Sequence, residues 1–196
     1  MIAFLQGKLV HKEPTNVVMD VNGIGYHLHI SLQTFSDIKE KADVMLHTHL
    51  AIREDAHILF GFSSTEEKRL FQQLISVNGV GPGTAIVMLS YMTSNEMRAA
   101  IAREDATALQ SIKGIGAKTA LRVIIELKDK LKKENLEEIS LVSDQPNNTV
   151  RKEALSALLT LGLPKAVAEK SVEAILRKSG NNITLEDLVK QALKNA

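Results

Sequence analysis

The residues best suited to chemistry in this chain lie in two glycine-rich stretches that repeat 35 positions apart. The first reads Gly79-Val80-Gly81-Pro82-Gly83-Thr84-Ala85, and the second reads Gly114-Ile115-Gly116-Ala117-Lys118-Thr119-Ala120. In each, two glycines permit a tight turn with positive φ while the aliphatic residue between them anchors the turn in a core. The next residues are expected to open a helix, whose first amide N–H groups lack intrahelical partners and attract anions. The repeat therefore predicts two turns that bind phosphate through the backbone, without reading base sequence.

We refer to residues 76–84 as hairpin 1 and to residues 111–119 as hairpin 2. Two ordinary helix–turn–helix connections capped by glycine would look similar, but the fixed repeat favours duplicated binding units. The candidate DNA-binding residues are Asn78, Gly79, Val80, Gly81, Gly83 and Thr84 for hairpin 1, and Lys113, Gly114, Ile115, Gly116, Lys118, Thr119 and Arg122 for hairpin 2.

The cations are distributed unequally between the two copies. In the helix predicted over Ala117–Lys133, Lys118 and Arg122 are four residues apart and therefore share one face. Two cations beside an anion-binding helix start suit a nucleic-acid backbone. Gly83 and Val87 occupy the equivalent positions of the first copy, so we expect hairpin 2 to bind more tightly. The opposite face carries the predicted buried stripe, Ala120, Ile124, Leu127 and Leu131.

Other chemistries find little support in the sequence. The chain has no Cys, which excludes a disulfide framework, a thiolate nucleophile and a Cys-ligated metal. The segment Gly116–Thr119 looks like part of a P-loop, but that motif needs glycine where Ile112 and Ala117 stand. We expect no catalytic residue, no cofactor and no metal. Two i, i+2 histidine pairs admit a metal interpretation, but are more typical of half-exposed strands: His27 with His29 and His47 with His49.

The elements that position these residues begin with a β part. Asn22-Gly23 predicts a type I′ hairpin, and Ser31–Ile38 has helical character. Five strands with a helix after the third predict an OB-type barrel over residues 1–63, although the order also fits another small barrel. The apolar and β-branched runs that predict the strands are Ile2–Val10, Asn16–Val21, Ile24–Ile30, Val44–Ile52 and His57–Phe62.

A helical domain is predicted over residues 64–134. Two S/T-x-x-E capping boxes, beginning at Ser64 and Thr93, place helix starts near residues 65 and 94. The polar, breaker-rich residues 135–149 are interpreted as a flexible linker.

Residues 150–196 are predicted to form a small three-helix docking bundle. Its helices are expected near residues 150–161, 165–178 and 185–194, and Gly162 and Gly180 stop the first two. The predicted fold class is thus α+β multidomain: an N-terminal OB-type β-barrel, a central tandem helix-hairpin-helix domain and a C-terminal three-helix bundle.

The formal net charge of +1 averages over unlike segments. Residues 1–62 hold 5 basic and 7 acidic side chains, residues 63–134 hold 11 and 8, residues 135–148 hold none and 3, and residues 149–196 hold 8 and 5. A basic hairpin domain beside an acidic barrel is compatible with nucleic acid. Aromatic residues make up only 4% of the chain, which disfavours base stacking and favours recognition of backbone and shape.

Taken in order, these elements resemble the RuvA family, the DNA-binding subunits of bacterial Holliday junction branch migration complexes. The resemblance covers essentially the full length of the chain. It rests on an acidic linker, a short C-terminal bundle and five sequence segments: Ile2–Leu9, Asn22–Tyr26, Ile52–Phe62, Asn78–Pro82 and Gly114–Ala120.

The resemblance implies a homotetramer that holds a four-way junction open in a square-planar arrangement, with the tandem hairpins on the minor-groove backbone of each arm. It further implies that the C-terminal domain docks on the RuvB AAA+ motor, which hydrolyses ATP, and that the RuvC nuclease acts in the wider complex. The chain itself would be non-catalytic and would serve recombination and DNA repair.

Specific residues also match the family pattern. Glu54 and Asp55 correspond to its acidic pin, where carboxylates repel phosphates and exclude continuous duplex from the junction centre. Leu161-Gly162-Leu163 resembles the turn of small three-helix adaptor bundles and is a candidate motor contact. The chain departs from the family at Gly83 and Ala117, where members often carry Lys, so phosphate attraction should be weaker and should rest more heavily on Lys118 and Arg122.

Two alternatives remain open from the sequence. A helix-hairpin-helix subunit of a repair nuclease or glycosylase would need a catalytic Lys or Asp after the hairpin, where the chain instead continues as an amphipathic helix. A protein-interaction scaffold would leave the repeated turns unexplained. No secretory signal is visible, and the longest uncharged run, Leu70–Asn95, is broken by glycines, so we expect a cytoplasmic protein without a membrane segment.

Overall fold

The structure, a computed structural model, describes residues 2–142, 146–179 and 183–195. The chain divides into two compact units, Met1–Lys133 and Glu134–Ala196. The first unit contains strands followed by helices, and the second unit is helical. This order confirms the predicted α+β fold class.

The strands of the first unit close into a five-stranded barrel in the order β1-β2-β3-β5-β4. β3 and β5 pair in parallel, and the other neighbours are antiparallel. A short helix, α1 (Leu32–Ile38), follows the third strand, as predicted for an OB-type barrel. The strands are β1 (Phe4–Glu13), β2 (Asn16–Val21), β3 (Ile24–Ile30), β4 (Asp43–Ile52) and β5 (His57–Phe62).

Alternating apolar side chains fill the barrel interior, because successive residues of a strand point to opposite faces. The β2–β3 turn has φ of 53° at Asn22 and 87° at Gly23, which confirms the predicted type I′ hairpin. β1 extends three residues beyond its predicted end, through a register shift between Leu9 and His11 that keeps it paired with β2. The buried interior includes Leu5, Leu9, Val17, Met19, Leu28, Ile30, Leu46 and Leu59.

Five helices follow in the first unit, and they share one apolar core. Ser64 and Thr93 are the N-caps of the first and third of them, confirming both predicted helix starts. The helices are α2 (Thr65–Ile75), α3 (Pro82–Tyr91), α4 (Ser94–Ala102), α5 (Ala106–Gln110) and α6 (Ala117–Val142). The stripe predicted for α6, Ala120, Ile124, Leu127 and Leu131, is buried, and Val123 joins it.

The barrel and the helices are joined through an aromatic contact. Phe71 of α2 lies with its ring centroid 4.9 Å from that of Phe62 and 5.1 Å from that of Phe60, both on β5. The ring of His49 on β4 lies 5.3 Å from that of Phe71. The strand face predicted to be half-exposed at His49 is therefore covered by α2, and hairpins and barrel belong to one compact unit.

The segment interpreted as a linker differs from expectation in its secondary structure. α6 continues to Val142, and α7 begins at Pro146, so helix covers most of residues 135–149. Residues 143–145 lie outside the described part of the chain. The physical reason is local: between Lys133 and Pro146 there is neither Gly nor Pro, while Leu and Glu, which favour helix, are frequent.

The second unit contains the predicted bundle of three helices. They are α7 (Pro146–Thr160), α8 (Lys165–Ser179) and α9 (Leu185–Lys194). Gly162, with φ of +93°, ends the first, as predicted from its sequence. Gly180, predicted to end the second, lies outside the described residues. The core consists of Ala154, Leu158, Ala168, Val172, Ile175, Leu188 and Ala192.

Candidate nucleic-acid interface

Hairpin 1 connects α2 to α3 through a glycine turn. Gly79 has φ of +93°, in the left-handed region that favours glycine, and exposes its backbone. Val80 is buried, and its amide donates to the carbonyl of Val77 at 3.0 Å. The aliphatic residue thus anchors the turn in the core, as the sequence predicted.

Hairpin 2 repeats this geometry between α5 and α6. Gly114 has φ of +92°, Ile115 is buried, and the Ile115 amide donates to the carbonyl of Ile112 at 3.0 Å. Each helix then starts in the same way. The amide of Ala85 donates to the carbonyl of Gly81, and that of Ala120 to the carbonyl of Gly116, both at 2.9 Å. The sequence repeat is therefore a structural repeat.

The first-turn amides of both helices are available to a ligand. Gly81, the N-cap of α3, has no side chain to cap the amides of Gly83 and Thr84, and within the described residues these two amides have no acceptor. Lys118 and Thr119 occupy the equivalent positions of α6. A Cβ added at Gly81, Gly83, Gly114 or Gly116 would meet nothing within 4 Å, so the glycine faces are open. Both turns can thus approach an anion closely.

The predicted cations lie on the surface, and one of them has a second role. Lys113, Lys118 and Arg122 are exposed. Arg122 Nη1 donates to the backbone oxygen of Asn78 at 2.9 Å, which links α6 to the turn of hairpin 1. The sequence pattern predicts Arg122 only as a cation of hairpin 2. No local pattern signals this contact, because its partners are 44 positions apart.

The acidic tip forms the turn between β4 and β5. Glu54 and Asp55 are exposed at its apex. The amide of Arg53 donates to the carbonyl of Ala56 at 2.8 Å, which closes the turn below them. Two carboxylates at an exposed turn set up a local negative potential that repels phosphate.

Glu67, in the first turn of α2, anchors the helices to the barrel. Its side chain is only 2% exposed, and its carboxylate accepts hydrogen bonds from the hydroxyls of Ser31 and Thr34, the latter at 2.6 Å. Burial raises the pKa of the Glu67 carboxyl more than these hydrogen bonds lower it. The sequence predicted Glu67 only as the partner of Ser64 in a capping box. Ser64 Oγ does accept from the Glu67 amide at 3.2 Å, but the carboxylate bonds across to α1 instead.

The second predicted capping box, at Thr93 and Glu96, is complete. Glu67 differs from Glu96 because tertiary contacts to Ser31 and Thr34 occupy its carboxylate. Thr93 Oγ1 accepts from the Glu96 amide at 3.3 Å, and Glu96 Oε2 accepts from the Thr93 amide at 2.9 Å. These hydrogen bonds from Thr93 hold the pKa of the exposed Glu96 carboxyl below its usual range. A capping motif therefore fixes a helix start in both cases, but not the partner of its carboxylate.

One of the two histidine pairs forms a ring contact between its members. The rings of His27 and His29 lie edge to face with centroids 5.1 Å apart, and burial lowers the pKa of His29. Among the described residues there is no group of three or more His, Asp or Glu placed to hold a metal ion. In the same part of the chain, no helix is long and apolar enough to cross a membrane.

The candidate motor-contact turn, Leu161-Gly162-Leu163, contains one exposed leucine and one leucine that packs against the core. Leu161 is 59% exposed, whereas Leu163 is half-buried against the core of the C-terminal bundle. Gly162 lies between them, and the amide of Leu163 donates to the carbonyl of Leu158 at 3.0 Å, as in a Schellman motif. Of the three predicted residues, Leu161 presents the apolar side chain to solvent.

Comparison with known proteins agrees with the division seen in the structure. Residues 1–61 match the family model of the RuvA N terminal domain, and residues 149–196 match that of the RuvA C-terminal domain. Residues 71–129 match a SAM-like helix-hairpin-helix tandem. A relative from Cytophaga hutchinsonii, named Holliday junction branch migration complex subunit RuvA, is 55% identical over 197 residues, which cover 99% of each chain. The chain belongs to the RuvA family.

Other RuvA relatives with lower sequence identity also match the chain over nearly its full length. The relative from Porphyromonas gingivalis is 41% identical over 201 residues, covering 99% of each chain. That from Pseudomonas savastanoi pv. phaseolicola is 41% identical over 202 residues, covering 99% of this chain and 98% of its own. Both carry the same name as the Cytophaga protein. The similarity to RuvA proteins therefore includes the barrel, both hairpins and the C-terminal bundle.

Proposed function

We propose that this chain binds four-way (Holliday) junction DNA and holds it open as the DNA-binding subunit of a branch migration complex. The observation that carries the proposal is the pair of equivalent hairpins, each with exposed amides at a helix start, in the same compact unit as an acidic tip. The relatives cover 99% of this chain, and their name, Holliday junction branch migration complex subunit RuvA, supports the same activity.

Backbone amides and exposed cations recognise phosphates and carry no base-sequence information. Two such sites in one unit engage a duplex arm at two places, so selectivity must come from the shape of the DNA. The acidic tip adds repulsion where continuous duplex would pass. A shape with separated arms is therefore favoured over linear duplex.

The test is a comparison of a labelled immobile four-way junction with a linear duplex of equal length, at one salt concentration. We expect the junction to be bound at protein concentrations that leave the duplex free. Lys118→Ala should weaken junction binding more than the paired change Gly83→Ala with Val87→Ala, because only the former removes a cation. Equal affinity for the two DNA molecules would refute junction selectivity.

We propose that Glu54 and Asp55 exclude continuous duplex from the junction centre. Glu54→Gln combined with Asp55→Asn keeps the size of both side chains and removes their charge. This variant should raise duplex affinity while changing junction affinity less, because the repelled phosphates belong to duplex crossing the tip. A duplex affinity that does not change would contradict the role.

We propose that the C-terminal bundle docks on the RuvB motor, that the chain itself catalyses no reaction, and that RuvC acts on the bound junction. The exposed Leu161 supports a docking role for the turn. Leu161→Glu should reduce stimulation of RuvB ATPase activity, while Leu193→Glu, at another exposed leucine of the same bundle, serves as the matched control. ATPase activity of the purified chain without RuvB would refute the non-catalytic role.

We also propose self-assembly, for which the internal repeat gives a physical reason. In the first copy, Ser90 on α3 accepts a hydrogen bond from the amide of Leu32 at 3.1 Å, so α1 covers that face. The equivalent face of α6 carries Leu121 and Ile125, 52% and 73% exposed. A second copy of this chain would cover it, as expected for a homotetramer.

Light scattering tests the assembly directly. Ile125→Glu should lower the mass in solution from that of an oligomer toward that of a monomer, because it places a charge in the apolar contact. Leu161→Glu, in the second unit, should leave the mass unchanged. A monomeric unaltered chain would refute the proposal. The alternative of a nuclease or glycosylase subunit is favoured by no observation on the chain or on the relatives named above.

A further inference from the structure

The guanidinium of Arg122 lies against the turn of hairpin 1, although Arg122 belongs to α6, the helix that follows the turn of hairpin 2. Its Nη1 donates to the Asn78 oxygen at 2.9 Å and lies 3.7 Å from the position that a Cβ on Gly79 would occupy. The contact is therefore made beside the glycine whose positive φ defines the turn.

A second basic residue of α6 contacts the same turn. Lys130 Nζ donates to the hydroxyl oxygen of Ser76, the C-cap of α2, at 3.3 Å. Ser76 Oγ in turn donates to the carbonyl of Gln73 at 2.7 Å. α6 thus holds hairpin 1 where the chain leaves α2 and again just before the left-handed glycine.

The repeat does not supply the reciprocal contact. Val87 occupies the position of Arg122 in the first copy, and Lys113 occupies that of Asn78 in the second. Valine has no hydrogen-bond donor in its side chain, so α3 cannot hold hairpin 2 in the same way. Among the residues that the structure describes, the link between the hairpins therefore runs from α6 to hairpin 1 and not from α3 to hairpin 2.

We propose that Arg122 is a positioning residue for hairpin 1, which lacks cations of its own at Gly83 and Val87. The inference deepens the proposed function and rests on it. By holding the Asn78 carbonyl, Arg122 keeps the amides of hairpin 1 directed at the phosphate backbone and fixes their spacing from those of hairpin 2. Loss of Arg122 then impairs both hairpins, whereas loss of Lys118 removes one cation from hairpin 2.

The first test uses the free protein and needs no DNA. The Val80 amide, bonded to the Val77 carbonyl, reports on hairpin 1, and the Ile115 amide, bonded to the Ile112 carbonyl, reports on hairpin 2. In Arg122→Ala, hydrogen exchange at Val80 should accelerate about tenfold, the effect of losing one hydrogen bond from a charged donor, with Ile115 unchanged. In Lys118→Ala, exchange should change at neither amide. Equal acceleration at both amides of Arg122→Ala, or none, would overturn the proposal.

The second test separates position from charge during junction binding. Arg122→Lys keeps the charge but loses the planar guanidinium and its reach to the Asn78 carbonyl. Its junction affinity should fall several-fold while the slope of log affinity against log salt stays unchanged, whereas Lys118→Ala should lower that slope by about 0.9 per phosphate contact. An Arg122→Lys protein with unaltered affinity would show that charge alone matters. If the unaltered protein does not prefer junctions, the proposed function fails, but the exchange result still decides the role of Arg122.

Discussion

Gly83 is the position where hairpin 1 can acquire the cation that hairpin 2 has in Lys118. It is the second residue of α3, is exposed, and has a φ outside the left-handed region. An added Cβ would meet nothing within 4 Å. Gly83→Lys should therefore be accepted without strain and should strengthen junction binding.

The size of the effect follows from counterion release. Each lysine that neutralises one phosphate steepens the dependence of log affinity on log salt by about 0.9. With binding at 1 M salt unchanged, affinity at 0.1 M salt rises about eightfold per engaged lysine, or about 1.2 kcal/mol. Folding stability should change little, because replacing glycine in a helix gains about 1 kcal/mol while a cation in the first turn opposes the helix dipole by about 0.3–1 kcal/mol.

Fluorescence anisotropy of a labelled junction, measured over a series of salt concentrations, gives both affinity and slope. Gly83→Gln is the matched control, since it has a similar helix propensity and length without the charge. We expect a steeper slope and tighter binding for the lysine variant only. Indistinguishable slopes for lysine and glutamine would refute the placement of hairpin 1 against phosphate.

Gly114→Ala should lower the free energy of unfolding, measured by denaturant titration, by about 1–2 kcal/mol, because Gly114 has φ of +92°. Gly116→Ala should leave the free energy of unfolding unchanged and should weaken junction binding, measured by anisotropy, because the added methyl group obstructs the open amides. Glu67→Ala should lower the free energy of unfolding by about 2–6 kcal/mol, because two buried hydroxyls lose their acceptor. The exposed Glu66→Ala should lower it by less than about 1 kcal/mol, and similar losses for the two variants would show that Glu67 does not anchor the helices to the barrel. Because burial raises the pKa of Glu67, the unfolded chain releases this proton at lower pH, so stability should fall as pH rises from the ordinary carboxyl range through the raised pKa. In Glu67→Gln, the free energy of unfolding measured in urea should no longer fall with pH over this range, because glutamine does not titrate.

Much of the fold could be predicted because it follows from short-range preferences. Asn22-Gly23 adopts the two positive φ angles of its turn, and Ser64 and Thr93 cap the helices that follow them. These outcomes depend on backbone conformation and on partners within three residues. Residues 135–142 and 146–149, predicted as part of a flexible linker, are helical for a similarly local reason, because the sequence between Lys133 and Pro146 contains no Gly or Pro.

In the candidate site, short-range sequence preferences predict the turns but not the contacts between distant residues. The two glycine turns and the exposed Lys118 follow from spacing alone, since each needs only its own hairpin. The carboxylate of Glu67 bonds to side chains 33 and 36 positions away, and Arg122 contacts a carbonyl 44 positions away. The sequence by itself determined which residues are candidates for binding phosphate and which are candidates for repelling it. Only the tertiary structure decided which of them hold the others in place, because distant partners meet only after barrel and helices have packed together.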